Sequence, residues 1–111
     1  MIENLQVVEK GELKKALRKL KEGGHRLITI IGAVRDGKME LTYALESADM
    51  SFAAVRTSYR LDEEIQSVQD IFINALLYEM ELVDLFDVRV EGCAPGLLLE
   101  PEKRGPFRRD G

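Results

Sequence analysis

Apolar residues recur along this chain at two periods, and the switches between them mark out its elements. Residues 2–8 read as a short first strand. In residues 11–22, Leu13, Ala16, Leu17 and Leu20 fall at helical spacing, which predicts an amphipathic helix. The Gly23-Gly24 pair then ends it, because glycine accepts the left-handed backbone found at helix ends. Residues 26–34, R-L-I-T-I-I-G-A-V, are short and β-branched and predict a buried strand. Asp36-Gly37 separates them from residues 38–46, a hairpin signal, since the tight turn requires positive φ. Met39, Leu41, Tyr43 and Leu45 alternate there with Lys38, Glu40, Thr42 and Glu46, so one face is buried and the other wet. Ala48-Asp49-Met50 makes the next turn, and residues 51–59 form a third strand of hairpin type. Asp62-Glu63-Glu64 suits the first turn of a short helix, where carboxylates meet the positive end of the dipole. Residues 70–86 predict a long apolar helix. After Gly92, the residues Pro95, Gly96, Pro101, Gly105 and Pro106 forbid regular structure and predict an extended tail. The sum is an α+β domain over residues 1–92: an antiparallel sheet of three or four strands, an N-terminal amphipathic helix and the long C-terminal helix. Residues 93–111 are expected to form a separate Pro/Gly-rich basic tail.

The predicted helix over residues 70–86 changes the picture most. It is apolar on almost every side, and such a helix is usually buried by protein on more than one side. A chain of 111 residues has little protein of its own to supply that cover. Another subunit is therefore expected to complete the surface. On a helical wheel Asp70, Asn74, Glu81 and Asp84 share one stripe, which reads as a solvated face. Glu79 falls nearly opposite, among Phe72, Ala75, Leu82, Val83 and Phe86. A carboxylate on an apolar face must be paired, or desolvation costs it several kcal/mol. The plentiful cations downstream are Arg108 and Arg109, and an arginine fork satisfies a carboxylate with two hydrogen bonds. Either the tail supplies that arginine within the chain or a partner subunit does.

Composition narrows the function classes. Sixteen basic and twenty acidic side chains give a net charge of −4, which argues against a free-standing nucleic-acid binder. No run approaches the roughly 20 apolar residues of a membrane span. The opening M-I-E-N-L-Q-V-V-E-K lacks the layout of a signal peptide, so a cytoplasmic location is expected. One cysteine, Cys93, and one histidine, His25, cannot supply the roughly four ligands of an iron–sulfur cluster or a structural zinc site. The chain is therefore expected to carry no cofactor, and any redox centre belongs to a partner. His25 reads as a surface or cap residue and Cys93 as a small apolar filler. Lys14, Lys15, Arg18, Lys19 and Lys21 make the first helix basic on its outer side. No nucleophile elbow, P-loop or G-x-G-x-x-G is present. Glu79 and Glu81 point to different faces, so they make a poor acid–base pair.

Certain residues carry a resemblance. S-V-Q-D-I-F, then A-L-L-Y-E-M-E-L-V-D-L-F-D-V, then Gly92, then P-F-R-R-D is similar to the signature of the 30-kDa-type subunit of respiratory complex I. The short form of that module occurs in membrane-bound energy-converting NiFe hydrogenases. Ser67, Asp70, Phe72, Ala75, Glu79, Glu81, Asp84, Phe86, Gly92, Pro106, Arg108 and Asp110 hold matching positions. The pattern departs where Leu77 replaces a Trp, Met80 an Arg and Asp87 the Gly that ends the helix. Cys93-Ala94 also stands for His-Pro, and Leu97-Leu98-Leu99 replaces an arginine-bearing segment.

The resemblance implies a subunit without cofactor and without catalysis of its own, part of an oxidoreductase complex. It would scaffold a hydrogenase-like large subunit, beside a small iron–sulfur subunit, in the peripheral arm on the cytoplasmic face of the membrane. The NiFe centre and iron–sulfur clusters would lie in those partners. Electrons would come from ferredoxin or NAD(P)H, coupled to ion translocation, and membrane association would be through the complex only. Glu79, Glu81 and Asp84 would fix the helix and tail, while Arg108, Arg109 and Asp110 would clasp the neighbour. The alternatives are a free-standing regulatory or ligand-binding domain that homodimerises through the 70–86 helix, and a small hydrolase using the carboxylates.

Overall fold

The computed structural model describes residues 5–93. In chain order these form β1 (Leu5–Val7), a 3-10 turn (Lys10–Glu12), α1 (Leu13–Glu22), β2 (Arg26–Arg35), β3 (Lys38–Glu46), β4 (Phe52–Arg60) and α2 (Ala75–Phe86). The β2–β3–β4 ladder is antiparallel throughout. Its first turn has φ of 52° at Asp36 and 74° at Gly37, the paired positive values of a two-residue hairpin. Met39, Leu41, Tyr43 and Leu45 are all fully buried, as their alternation predicts. They share one core with Val55 and Tyr59 of β4, Leu13 and Leu17 of α1, and Leu82 and Val83 of α2. Both helices thus pack on the same face of the sheet. On the opposite face polar groups tie neighbouring strands: Arg56 Nε donates to Thr42 Oγ1 at 2.9 Å, and Arg35 Nε to Glu40 at 3.0 Å.

The sheet is mixed, not antiparallel. Its order is β1-β4-β3-β2, and β1 runs parallel to β4. The reason lies in the first helix. β2 and β4 both run against β3, so β1 is parallel to β2 as well, and α1 is the crossover that such a connection requires. A hairpin reading of the chain has no place for that unit.

Two predicted helices change. Residues 62–64 form no helix: the chain turns over residues 60–63, and Glu63 closes that turn itself, its carboxylate accepting the Arg60 N–H at 3.0 Å and also taking the Lys10 ammonium. The long helix shortens to Ala75–Phe86. Upstream, the Val68 carbonyl accepts both the Ile71 and Phe72 N–H groups, at 3.0 and 2.9 Å, and tight turns replace helix. These turns put Ile71 and Phe72 into the core together, and Asn74 Nδ2 then bonds the Leu27 carbonyl of β2 at 3.0 Å. The helix ends on Asp87, which adopts φ 56° and returns its N–H to Val83. Asp is among the few residues besides glycine that visit this backbone region routinely.

α2 lies close against β2 at Gly32. A Cβ there would stand 2.5 Å from Met39 Cε, 2.8 Å from Leu82 Cδ2 and 3.0 Å from Phe86 Cε2. Glycine is needed for that approach. The predicted tail, with Arg108, Arg109 and Asp110, lies outside the described residues, although Cys93 at its start packs into the core.

Candidate functional site

Glu79 sits on the inner face of α2 and is fully buried. The helix begins late enough for the preceding loop to fold over this carboxylate. Its Oε1 accepts from Ser67 Oγ at 2.8 Å and from Gln69 Nε2 at 2.9 Å, and its Oε2 accepts the Val68 N–H at 2.8 Å. The described partners are thus neutral donors from three consecutive residues. Arg108 and Arg109, the expected cations, fall outside the described residues. Glu91, beyond the helix, accepts the Ser67 N–H at 3.2 Å. Ile65 and Val90 form a parallel bridge that holds the two flanks of the helix together. Glu79 is therefore the centre of a closed polar knot that fixes the entry to α2 against its exit.

The groups around it are quiet. Burial pushes the Cys93 thiol up, and the Glu79 carboxylate adds to the effect. Burial likewise holds the Tyr43 hydroxyl well above its ordinary range, with Tyr59 and Glu79 contributing. The Ser67 hydroxyl is engaged twice, donating to Glu79 and accepting the Gln69 N–H at 3.2 Å. Glu81 is exposed while Glu79 is buried, so the two carboxylates cannot flank one bond. Among the described residues no cluster of His, Cys, Asp and Glu could hold a metal ion, and no helix is long and apolar enough to cross a membrane.

The predicted acidic stripe breaks into separate jobs. Asp70 precedes α2 and takes Lys14 Nζ at 3.2 Å and Arg18 Nη2 at 3.0 Å. Partial burial works to raise its carboxyl, but the Lys14 bond and the two cations outweigh that and hold it below the usual value. Asn74 ties the helix to β2. Only Glu81 and the half-buried Asp84 remain on α2 itself. Lys21, from the basic side of α1, donates to the Ile71 carbonyl at 2.7 Å. His25 bonds the Leu20 carbonyl at the end of α1, a cap as expected.

The outer side of α2 exposes apolar side chains: Leu77 is 57% exposed and Leu85 75%, with Ile73, in the turn before the helix, at 87%. Isolated exposed apolar residues are ordinary, whereas a run of them along one element marks a contact site. The sequence shows that α2 is greasy all round. It does not show that the knot of Ser67, Val68 and Gln69 satisfies Glu79, because nothing in S-V-Q declares three donors until the loop is folded.

No curated protein matches this chain in sequence. Among solved structures, a chain of the membrane-bound sulfane sulfur reductase, described as an archaeal respiratory membrane complex, superposes with a TM-score of 0.75 at 27% identity. The match covers 89% of this chain and 65% of that one, so this chain spans less than two thirds of its relative's length. The family model of the respiratory-chain NADH dehydrogenase 30 Kd subunit matches residues 6–111, which takes in the whole sheet from Gln6 onward, both helices and the Glu79 knot. The chain therefore belongs to the family of the respiratory-chain NADH dehydrogenase 30-kDa subunit.

Proposed function

We propose that this chain is a docking subunit of a membrane-bound respiratory complex, without catalysis or cofactor of its own, which scaffolds a hydrogenase-like large subunit. The observation that carries the reading is the outer side of α2, where Leu77 and Leu85 stand in solvent, with Ile73 exposed in the turn just before it, on a helix whose inner face is already filled. Family membership and the likeness to a chain of a respiratory membrane complex support it. In this reading the NiFe centre and iron–sulfur clusters belong to the large subunit and a small iron–sulfur subunit. Ferredoxin or NAD(P)H feeds the assembly, electron flow is coupled to ion translocation, and the chain sits on the cytoplasmic face. The Glu79 knot keeps α2 in register with the sheet, and the tail residues Arg108, Arg109 and Asp110 clasp the neighbour through charge-assisted bonds.

The likeness to the sulfane sulfur reductase favours a second reading of the same assembly, in which the electrons reduce sulfane sulfur. Mild-detergent purification of the tagged chain from native membranes tests both. A stoichiometric hydrogenase-like large subunit is expected. Nickel with hydrogen evolution selects the first reading, and sulfane sulfur reduction without nickel selects the second. Recovery of the chain alone at full yield overturns the proposal.

A further inference from the structure

One edge of the sheet is open at a single residue. β1 ends at Val7, and Val8 donates its N–H to the Arg56 carbonyl at 2.9 Å before the chain turns away toward α1. Alternate residues of a strand present their backbone groups to the same neighbour, so Arg56, Ser58 and Arg60 of β4 all turn theirs to the β1 side. Val8 occupies the first. Glu63 closes the third, since its carboxylate accepts the Arg60 N–H and its own N–H donates to the Arg60 carbonyl at 3.1 Å. Ser58 lies between them, and among the described residues its N–H and C=O have no partner. Unpaired edge groups of this kind are a template for another extended chain. A cleft of about 290 Å³ opens onto them, walled by Val8, Lys10 and Tyr59 and bordered by Lys38 and Arg60. Thr57 lines it too, and the buried Thr57 hydroxyl has no partner among the described residues.

The charge at this end of the sheet is unbalanced. Lys38 stands directly across from Arg35 on β2 and from Arg60 on β4. Like charges opposite one another destabilise a sheet. Arg35 is paired with Glu40, Arg60 with Asp62 and Lys10 with Glu63. Lys38 has no acid of its own among the described residues, and Glu9, which also lines the cleft, pairs with none of these cations. We infer that this notch seats an extended segment of another polypeptide, held by its backbone on Ser58 and by one Asp or Glu side chain on Lys38. The inference names a surface apart from α2, and it rests on the docking reading only in drawing the occupant from a partner subunit. Strand addition at a sheet edge takes its affinity from main-chain hydrogen bonds and its specificity from the side-chain sites alongside. The open N–H and C=O select a peptide over a free anion. The unpaired ammonium between two arginines selects an acid over a base.

The test follows amide hydrogen exchange of the full chain by NMR. The probes are two extended peptides of alternating threonine and valine, one with a central glutamate and one with glutamine in its place. In the free chain the Ser58 amide is expected to exchange about tenfold faster, or more, than those of Thr57 and Tyr59, which face β3. Saturating glutamate peptide is expected to slow it by about tenfold. The glutamine peptide is expected to bind about tenfold more weakly. Lys38→Gln removes that preference, while Lys19→Gln, an equal charge change at an exposed residue of α1, keeps it within about twofold. Circular dichroism confirms that each variant is folded. A Ser58 amide already slow in the free chain overturns the inference, since the chain then closes this edge itself. So does a Ser58 amide unchanged at saturation, or equal binding of the two peptides. Protection that grows with protein concentration overturns it too, because a second copy is then the occupant. If the glutamate peptide fails to bind while native membranes still yield the large companion, this inference falls and the docking reading stands.

Discussion

The two sides of α2 invert the ordinary rule of burial. The inner side hides a carboxylate, Glu79, at no exposure, while the outer side shows Leu77 and Leu85 to solvent, with Ile73 in the turn just before it. The inner anomaly is resolved within the chain, because Ser67, Val68 and Gln69 supply its donors. The outer anomaly has no such resolution among the described residues. The difference teaches how to sort odd residues into those that build the fold and those that await a neighbour. A buried polar group with all its partners specifies structure. An exposed apolar row specifies contact.

Substitutions at the two sides break or sharpen that contrast. Glu79→Ala strips the acceptor from three donors and is expected to cost about 3 kcal/mol or more in urea unfolding. A midpoint unchanged from wild type would show that the knot is ornamental. Next comes Gly32→Ala, which forces a Cβ against Met39, Leu82 and Phe86 and is expected to cost about 2 kcal/mol. If α2 tolerates it without loss, the helix is not seated as described. Asp70→Asn is smaller, under about 1 kcal/mol, because the Lys14 and Arg18 pairs are half-exposed. Its pH dependence is the sharper readout. The Asp70 carboxyl is lowered in the folded chain, so its contribution is complete above the ordinary carboxylate range and fades as pH falls through the lowered value. The gap between wild type and variant should therefore close in acid, and a gap that widens there contradicts the pairing. Leu77→Ser should move thermal stability least, within about 0.5 kcal/mol, yet lose the companion in membrane purification. A large loss of stability would place Leu77 with the inner side and dissolve the contrast.

Much of the fold was legible in the chain. The hairpin at Asp36-Gly37 and the stripe of Leu13, Ala16 and Leu17 are local signals, and both hold. β1 was harder, since all of Leu5, Gln6 and Val7 are exposed and no alternation of burial reveals their partner strand. Its parallel pairing follows from topology, not from pattern. The start of α2 was misread because residues 70–74 continue its apolar run, while the neighbouring Val68 carbonyl and the distant Leu27 carbonyl on β2 draw their hydrogen bonds into turns. For the site, the burial of Glu79 was readable from the wheel. Its three donors were not, because an arginine is the louder candidate and a folded loop is invisible in a linear string.

The parallel pairing of β1 has one more consequence, for how the molecule comes together. Leu5 pairs with Ala54, across the whole of α1, β2 and β3. The three-strand meander can form from near neighbours, but β1 has no edge to join until β4 exists. Long-range closures of this kind slow assembly. β1, though it precedes the other three described strands, is thus the one incorporated after them, and α1 must wait beside it, tethered and unshielded, until the ribosome has delivered its landing place.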